Sequence, residues 1–135
     1  MKKEEKELLL EDLCGRLPYG VKCQVREDEF TYIGTLCRIE VDNENGHLLD
    51  FTESMSGLDC QVYLSEVKPY LFPLSNMTEE QKEELYSKLI ELELKEIHHL
   101  EVVKFEVEYY FKNHIDYMNL IPRGLAIDAT GLNIY

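Results

Sequence analysis

Lys68-Pro69-Tyr70-Leu71-Phe72-Pro73-Leu74-Ser75-Asn76-Met77-Thr78-Glu79-Glu80-Gln81 is the stretch across which the hydrophobic period of this chain changes. Before it, apolar residues tend to alternate, as half-buried strands require; after it they recur every three or four positions, as an amphipathic helix requires. Pro69 and Pro73 oppose a continuous helix or a central strand here, and Thr78 with Gln81 has the spacing of a capping box that opens a helix. The seam divides residues 1–75, a helix followed by short strands, from residues 76–135, a helical segment and tail that pack back on them as one structural unit.

Working backwards, Val21 to Arg26 alternates, Glu27-Asp28-Glu29 is a polar turn, and Phe30 to Asp42 alternates again with Ile33, Cys37, Ile39 and Val41 mostly on one side. Gly34 within that run predicts a bulge or sharp bend. Asn45-Gly46 is a hairpin signal, His47 to Thr52 returns as a strand, Ser54 to Gly57 is a loop, and Leu58 to Leu64 is a further strand. Ahead of the strands, Lys3 to about Leu13 reads as a helix with a Leu8, Leu9, Leu13 stripe, ended by Gly15 and Pro18. The expected fold is therefore α+β: an N-terminal helix, a small antiparallel barrel of SH3-like or Sm-like type, then C-terminal helices and a turn-rich tail. An open sheet under the helices is the alternative.

Working forwards, the helix from Thr78 carries Leu85, Leu89 and Leu92, with Ile90, Leu94 and Ile97 beside them, a stripe that must pack on something. Leu100 to Lys112 fits a second helix, although Val103, Phe105, Val107, Tyr109 and Phe111 also alternate as a strand would. Ile115 to Ile127 is broken by Pro122 and Gly124 and anchored by Leu120, Ile121, Leu125 and Ile127.

The chain has 135 residues, with 14 basic against 27 acidic side chains and a net charge of −13. The acidity is spread over both halves. Phosphate backbones and anionic membranes require clustered lysine and arginine, so direct nucleic-acid or membrane-surface binding is disfavoured. No secretory leader is expected and no apolar run approaches the roughly 20 residues of a membrane helix, which places the chain in the cytoplasm. The cysteines at 14, 23, 37 and 60 lack metal-like spacing. Cys23, Cys37 and Cys60 alternate with aliphatic neighbours and read as reduced core thiols rather than a disulfide framework.

Catalytic patterns are weak. His98 and His99 lie four residues or fewer from Glu96 and Glu101, which allows two ligands to a metal but lacks the third that a catalytic zinc site needs. His114 and Asp116 could form an acid–base pair, yet Asp116 is better placed to cap the turn that follows. No serine sits in an elbow, and no glycine-rich phosphate loop occurs. No cofactor or metal is expected.

Three phrases, Leu9 to Val21, Lys68 to Thr78 and Asp116 to Ile127, together resemble short uncharacterised proteins encoded in phages and mobile elements of gut anaerobic bacteria. Many members carry an Arg-Gly pair where this chain has Met118-Asn119. The resemblance implies a phage or mobile-element origin and no chemistry. The leading expectation is a non-enzymatic module that binds an unidentified bacterial or phage protein through the tail, at Tyr117, Leu120, Pro122 and Arg123, where apolar and basic groups meet on an acidic chain. Nine tyrosines, suited to half-wet interfaces, agree with that role. The alternatives are an acidic mimic of nucleic acid that inhibits a host defence or nucleic-acid enzyme, and a small metal-dependent hydrolase built on the histidines.

Overall fold

The computed structural model describes residues 2–40, 47–52 and 61–135. Its elements are α1 (Lys3–Arg16), β1 (Lys22–Glu27), β2 (Phe30–Glu40), β3 (Leu48–Phe51), β4 (Gln61–Tyr63), β5 (Val67–Pro73), α2 (Glu79–Leu94), α3 (His99–Lys112), β6 (Ile115–Asp116) and β7 (Ile127–Asp128), with single 3-10 turns at Leu17–Tyr19, Leu64–Glu66 and Leu74–Asn76. The fold is α+β. The Asn45-Gly46 and Ser54–Gly57 turns lie outside the described residues.

The strands form one mixed sheet in the order β4-β3-β2-β1-β5-β6, with β7 also on β5. Strands β1 to β4 are an antiparallel meander, and β5 returns antiparallel to β1, pairing Val67–Pro69 with Cys23–Val25. The expected barrel does not close: the sheet is open, and the tail strands β6 and β7 add to β5 in parallel. The two prolines also sit inside a central strand, contrary to expectation. They are tolerated because the β1 ladder stops at Pro69 and the β6 ladder stops at Pro73, so each lies at a ladder end where an absent N–H is not missed.

The buried face of β2 is the opposite of the one its alternation suggested. Tyr32, Gly34 and Leu36 point inward, while Ile33 and Cys37 are exposed. A register shift between Leu36 and Arg38 then returns Ile39 to the core side. Gly34 is not itself the bulge; it lets β2 approach β3, since a Cβ there would lie 2.9 Å from both the Cβ of Phe51 and the carbonyl oxygen of Thr52. Of the described cysteines only Cys23 is a core thiol; Cys14 and Cys37 are exposed, and Cys14 and Cys23 are free.

Helix α1 lays Leu9 and Leu13 on the sheet, against Val21, Cys23, Val25, Leu36 and Leu71, and the tail seals this core with Leu120, Leu125 and Ala126. Gly15 does not end α1, which runs on to Arg16. The left-handed residue that turns the chain is Gly20, at φ 67°. Leu100 to Lys112 is helical, and Thr78 and Gln81 form the predicted reciprocal cap of α2 at 3.0 and 3.1 Å. A smaller core of Met77, Leu85, Tyr109 and Ile115 joins the roots of α2 and α3 to the body. Among the described residues no helix is long and apolar enough to cross a membrane.

Candidate functional site

Two regions depart from the rule of apolar inside and polar outside. One is a sealed polar junction between α1, α3 and the tail. Asp12 and Arg16, one helical turn apart on α1, are both fully buried. Arg16 Nε donates to Asp12 Oδ2 at 2.7 Å and Nη2 donates to the Ile115 carbonyl at 2.6 Å, while the guanidinium lies 5.2 Å from the centre of the Phe111 ring. Burial raises the Asp12 carboxyl above its ordinary range, against the pull of Arg16. Phe111 reaches this position because Gly15 has no side chain; a Cβ there would run into the ring.

Asp116 is buried beside this pair and caps the next turn, as its position predicted: Oδ1 accepts from the Leu120 N–H at 2.8 Å and Oδ2 from the Ile121 N–H at 2.9 Å. His114 adopts a left-handed backbone, at φ 58°, and stacks on Tyr135 with ring centres 3.6 Å apart. Burial, with a smaller push from Arg16, lowers its imidazole to about 4. The Tyr135 hydroxyl donates to the Tyr70 carbonyl at 2.8 Å and accepts from the Lys22 N–H at 3.0 Å. The hydrogen bonds of Arg16, Asp116 and Tyr135 tie α1, β5 and the tail together, while Asp12 Oδ1 and His114 Nδ1 are buried without a hydrogen-bond partner; the junction is a structural lock. His98 caps α3 by accepting from the Leu100 N–H at 3.1 Å, and His99 is exposed. Among the described residues no three His, Cys, Asp or Glu side chains gather as metal ligands.

The four tail residues singled out for partner binding separate. Leu120 is fully buried in the main core and offers nothing to a partner. Tyr117 is half-buried, stacked on Tyr110 and edge-on to Phe111, each at 5.5 Å. Pro122 and Arg123 are exposed, and Pro122 borders an open groove of about 540 Å³ with Pro73, Leu74, Asn119 and Ile121.

The second departure is larger and was not singled out as a site. Only the root of the α2–α3 hairpin is packed. Toward its tip Tyr86, Ile90, Leu94 and Leu100 are 54, 56, 80 and 69% exposed, and Ile97 and Val103 are exposed with them. Tyr86, Ile90 and Leu94 recur every four residues, so they form one ridge along α2, while Leu85 and Leu89 face α3. On α3, Val103 and Tyr110 share a face at a spacing of seven. Leu85 and Tyr109 pack together between the two helices, so the residues that follow them, Tyr86 and Tyr110, turn to the same side of the hairpin. The periodicity had marked this stripe as one that must pack, and half of it has no partner within the described residues. Monomeric proteins rarely expose a contiguous apolar face without using it.

No family model, curated protein or solved structure matches this chain.

Proposed function

We propose that the chain is a non-enzymatic protein–protein interaction module, acting in the cytoplasm in the phage or mobile-element setting that its resemblance implies, and that its contact face is the Tyr86–Ile90–Leu94 ridge. The exposed ridge carries this reading: buried apolar area is the main source of association energy, and six of the twelve large hydrophobic side chains exposed on the described surface lie on this hairpin. The free thiols of Cys14 and Cys23 support a reducing compartment. The nucleic-acid mimic draws less support, because a phosphate-reading partner would meet leucine and isoleucine at the tip of the hairpin.

The test is capture from a bacterial lysate on the immobilised chain and on its Ile90→Ser/Leu94→Ser variant, at low and high salt. A protein held by the wild type at high salt and lost from the variant is the expected result. Equal retention by both would contradict the ridge, and retention by both only at low salt would favour the mimic.

A further inference from the structure

Resting on that reading, we propose that the ridge receives a basic amphipathic helix of a partner protein, with an apolar stripe seated between α2 and α3 and lysines or arginines on its flanks. The argument is one of charge complementarity. Residues 79–112 hold ten glutamates and five lysines. Three of the lysines are occupied away from the ridge: Lys88 and Lys95 converge on Glu91, and Lys104 faces Glu108. Lys82 is paired with Glu79. The acids nearest the ridge are placed differently. Glu83 precedes Tyr86 by three residues, Glu93 follows Ile90 by three and Glu106 follows Val103 by three, so each borders the apolar face. Among the described residues neither Glu83 nor Glu93 forms an ion pair, and Glu106 accepts only the Tyr110 hydroxyl, at 2.8 Å. The face is therefore apolar along its middle and negative along its borders.

Such a face selects its occupant. A second copy of this chain, at −13, would bring glutamates against glutamates. A membrane surface, negative itself, is refused for the same reason. The ridge from Tyr86 to Leu94 runs roughly 12 Å, a little over two helical turns, and a third helix laid beside α2 and α3 completes a bundle by ordinary ridge-into-groove packing. Helix-in-groove recognition reads anchors at i, i+3 or i+4, and i+7, which is the period the ridge itself presents.

The experiment uses the full chain and two labelled amphipathic peptides of about 18 residues with the same leucine stripe, one flanked by lysine and the other by glutamate, followed by fluorescence anisotropy. The lysine peptide is expected to bind one to one, at least roughly tenfold tighter than the glutamate peptide, and to weaken at least roughly tenfold on the uncharged Ile90→Ser/Leu94→Ser surface. Glu93→Gln/Glu106→Gln should narrow the gap between the peptides to about threefold. Equal binding of both peptides, or lysine-peptide binding that ignores the serine variant, would overturn the inference. So would ridge-dependent dimers of the chain in sedimentation. If neither peptide binds while the serine variant still loses its captured lysate protein, the basic helix is wrong and the interaction reading stands; if capture is also ridge-independent, both fall.

Discussion

The junction around Arg16 and the ridge around Ile90 invert the usual order in opposite senses. At the junction a carboxylate and a guanidinium are sealed from water; on the ridge, leucine and isoleucine are left in it. The junction is closed on itself, with each polar atom of Arg16 and Asp116 aimed at a neighbour that the fold supplies. The ridge is open, with its apolar period intact and nothing over it. Buried charge with local partners is a device for holding elements in register, whereas exposed hydrocarbon with a regular period is a device for holding something else. Substitutions at the first should damage the fold, and at the second only binding.

The largest effect is expected at Arg16. Arg16→Met leaves Asp12 buried without its cation and should destabilise by about 3–5 kcal/mol in urea unfolding, whereas Asp12→Leu/Arg16→Met should recover a good part of the loss. Asp116→Ala strands the Leu120 and Ile121 amides and should cost about 2–3 kcal/mol, with faster hydrogen exchange at those two positions. Gly15→Ala sets two effects against each other: helix propensity favours it by about 1 kcal/mol. Overpacking against Phe111 opposes it by about 1–3 kcal/mol, and because that ring is held by Arg16 and Tyr117 the variant should unfold at lower temperature.

A smaller, pH-dependent effect belongs to His114. Its imidazole is lowered from the ordinary 6.5 to about 4, so the unfolded chain takes up a proton that the folded chain refuses between those values. The stability this contributes is complete above pH 6.5 and is lost as the pH falls toward 4. Asp12, raised by burial, tilts the opposite way above its ordinary value of 3.8, so the His114 ring should be followed directly by its NMR shift, with a midpoint near 4. Smallest of all, Ile90→Ser/Leu94→Ser should leave stability within about 0.5 kcal/mol of wild type, since surface side chains without such partners contribute little.

The same contrast explains which parts were legible in the sequence. Local grammar survived: the Thr78–Gln81 cap, the Glu27–Glu29 turn and the Asp116 cap depend on a few adjacent residues and formed as read. Whatever depended on a distant neighbour did not. Alternation in β2 cannot say which face is covered, and a bulge after Leu36 shifts it midway. Gly15 ends a helix in isolation, but in this fold it admits the ring of Phe111 from 96 positions away. Asp12 and Arg16 have the spacing of a solvated surface pair, and only the tail folding over them makes them interior. Leu120 lies among exposed tail residues and nevertheless enters the core. The ridge was visible as a stripe, but periodicity does not tell a face that is already packed from one still waiting.

The most direct test places a photo-cross-linking residue at position 90 in one version of the chain and at position 123 in another, each exposed to the same bacterial lysate. The account predicts a discrete cross-linked protein from position 90 and none from position 123. Cross-linking from 123 alone would return the contact to the tail and leave the ridge without a role.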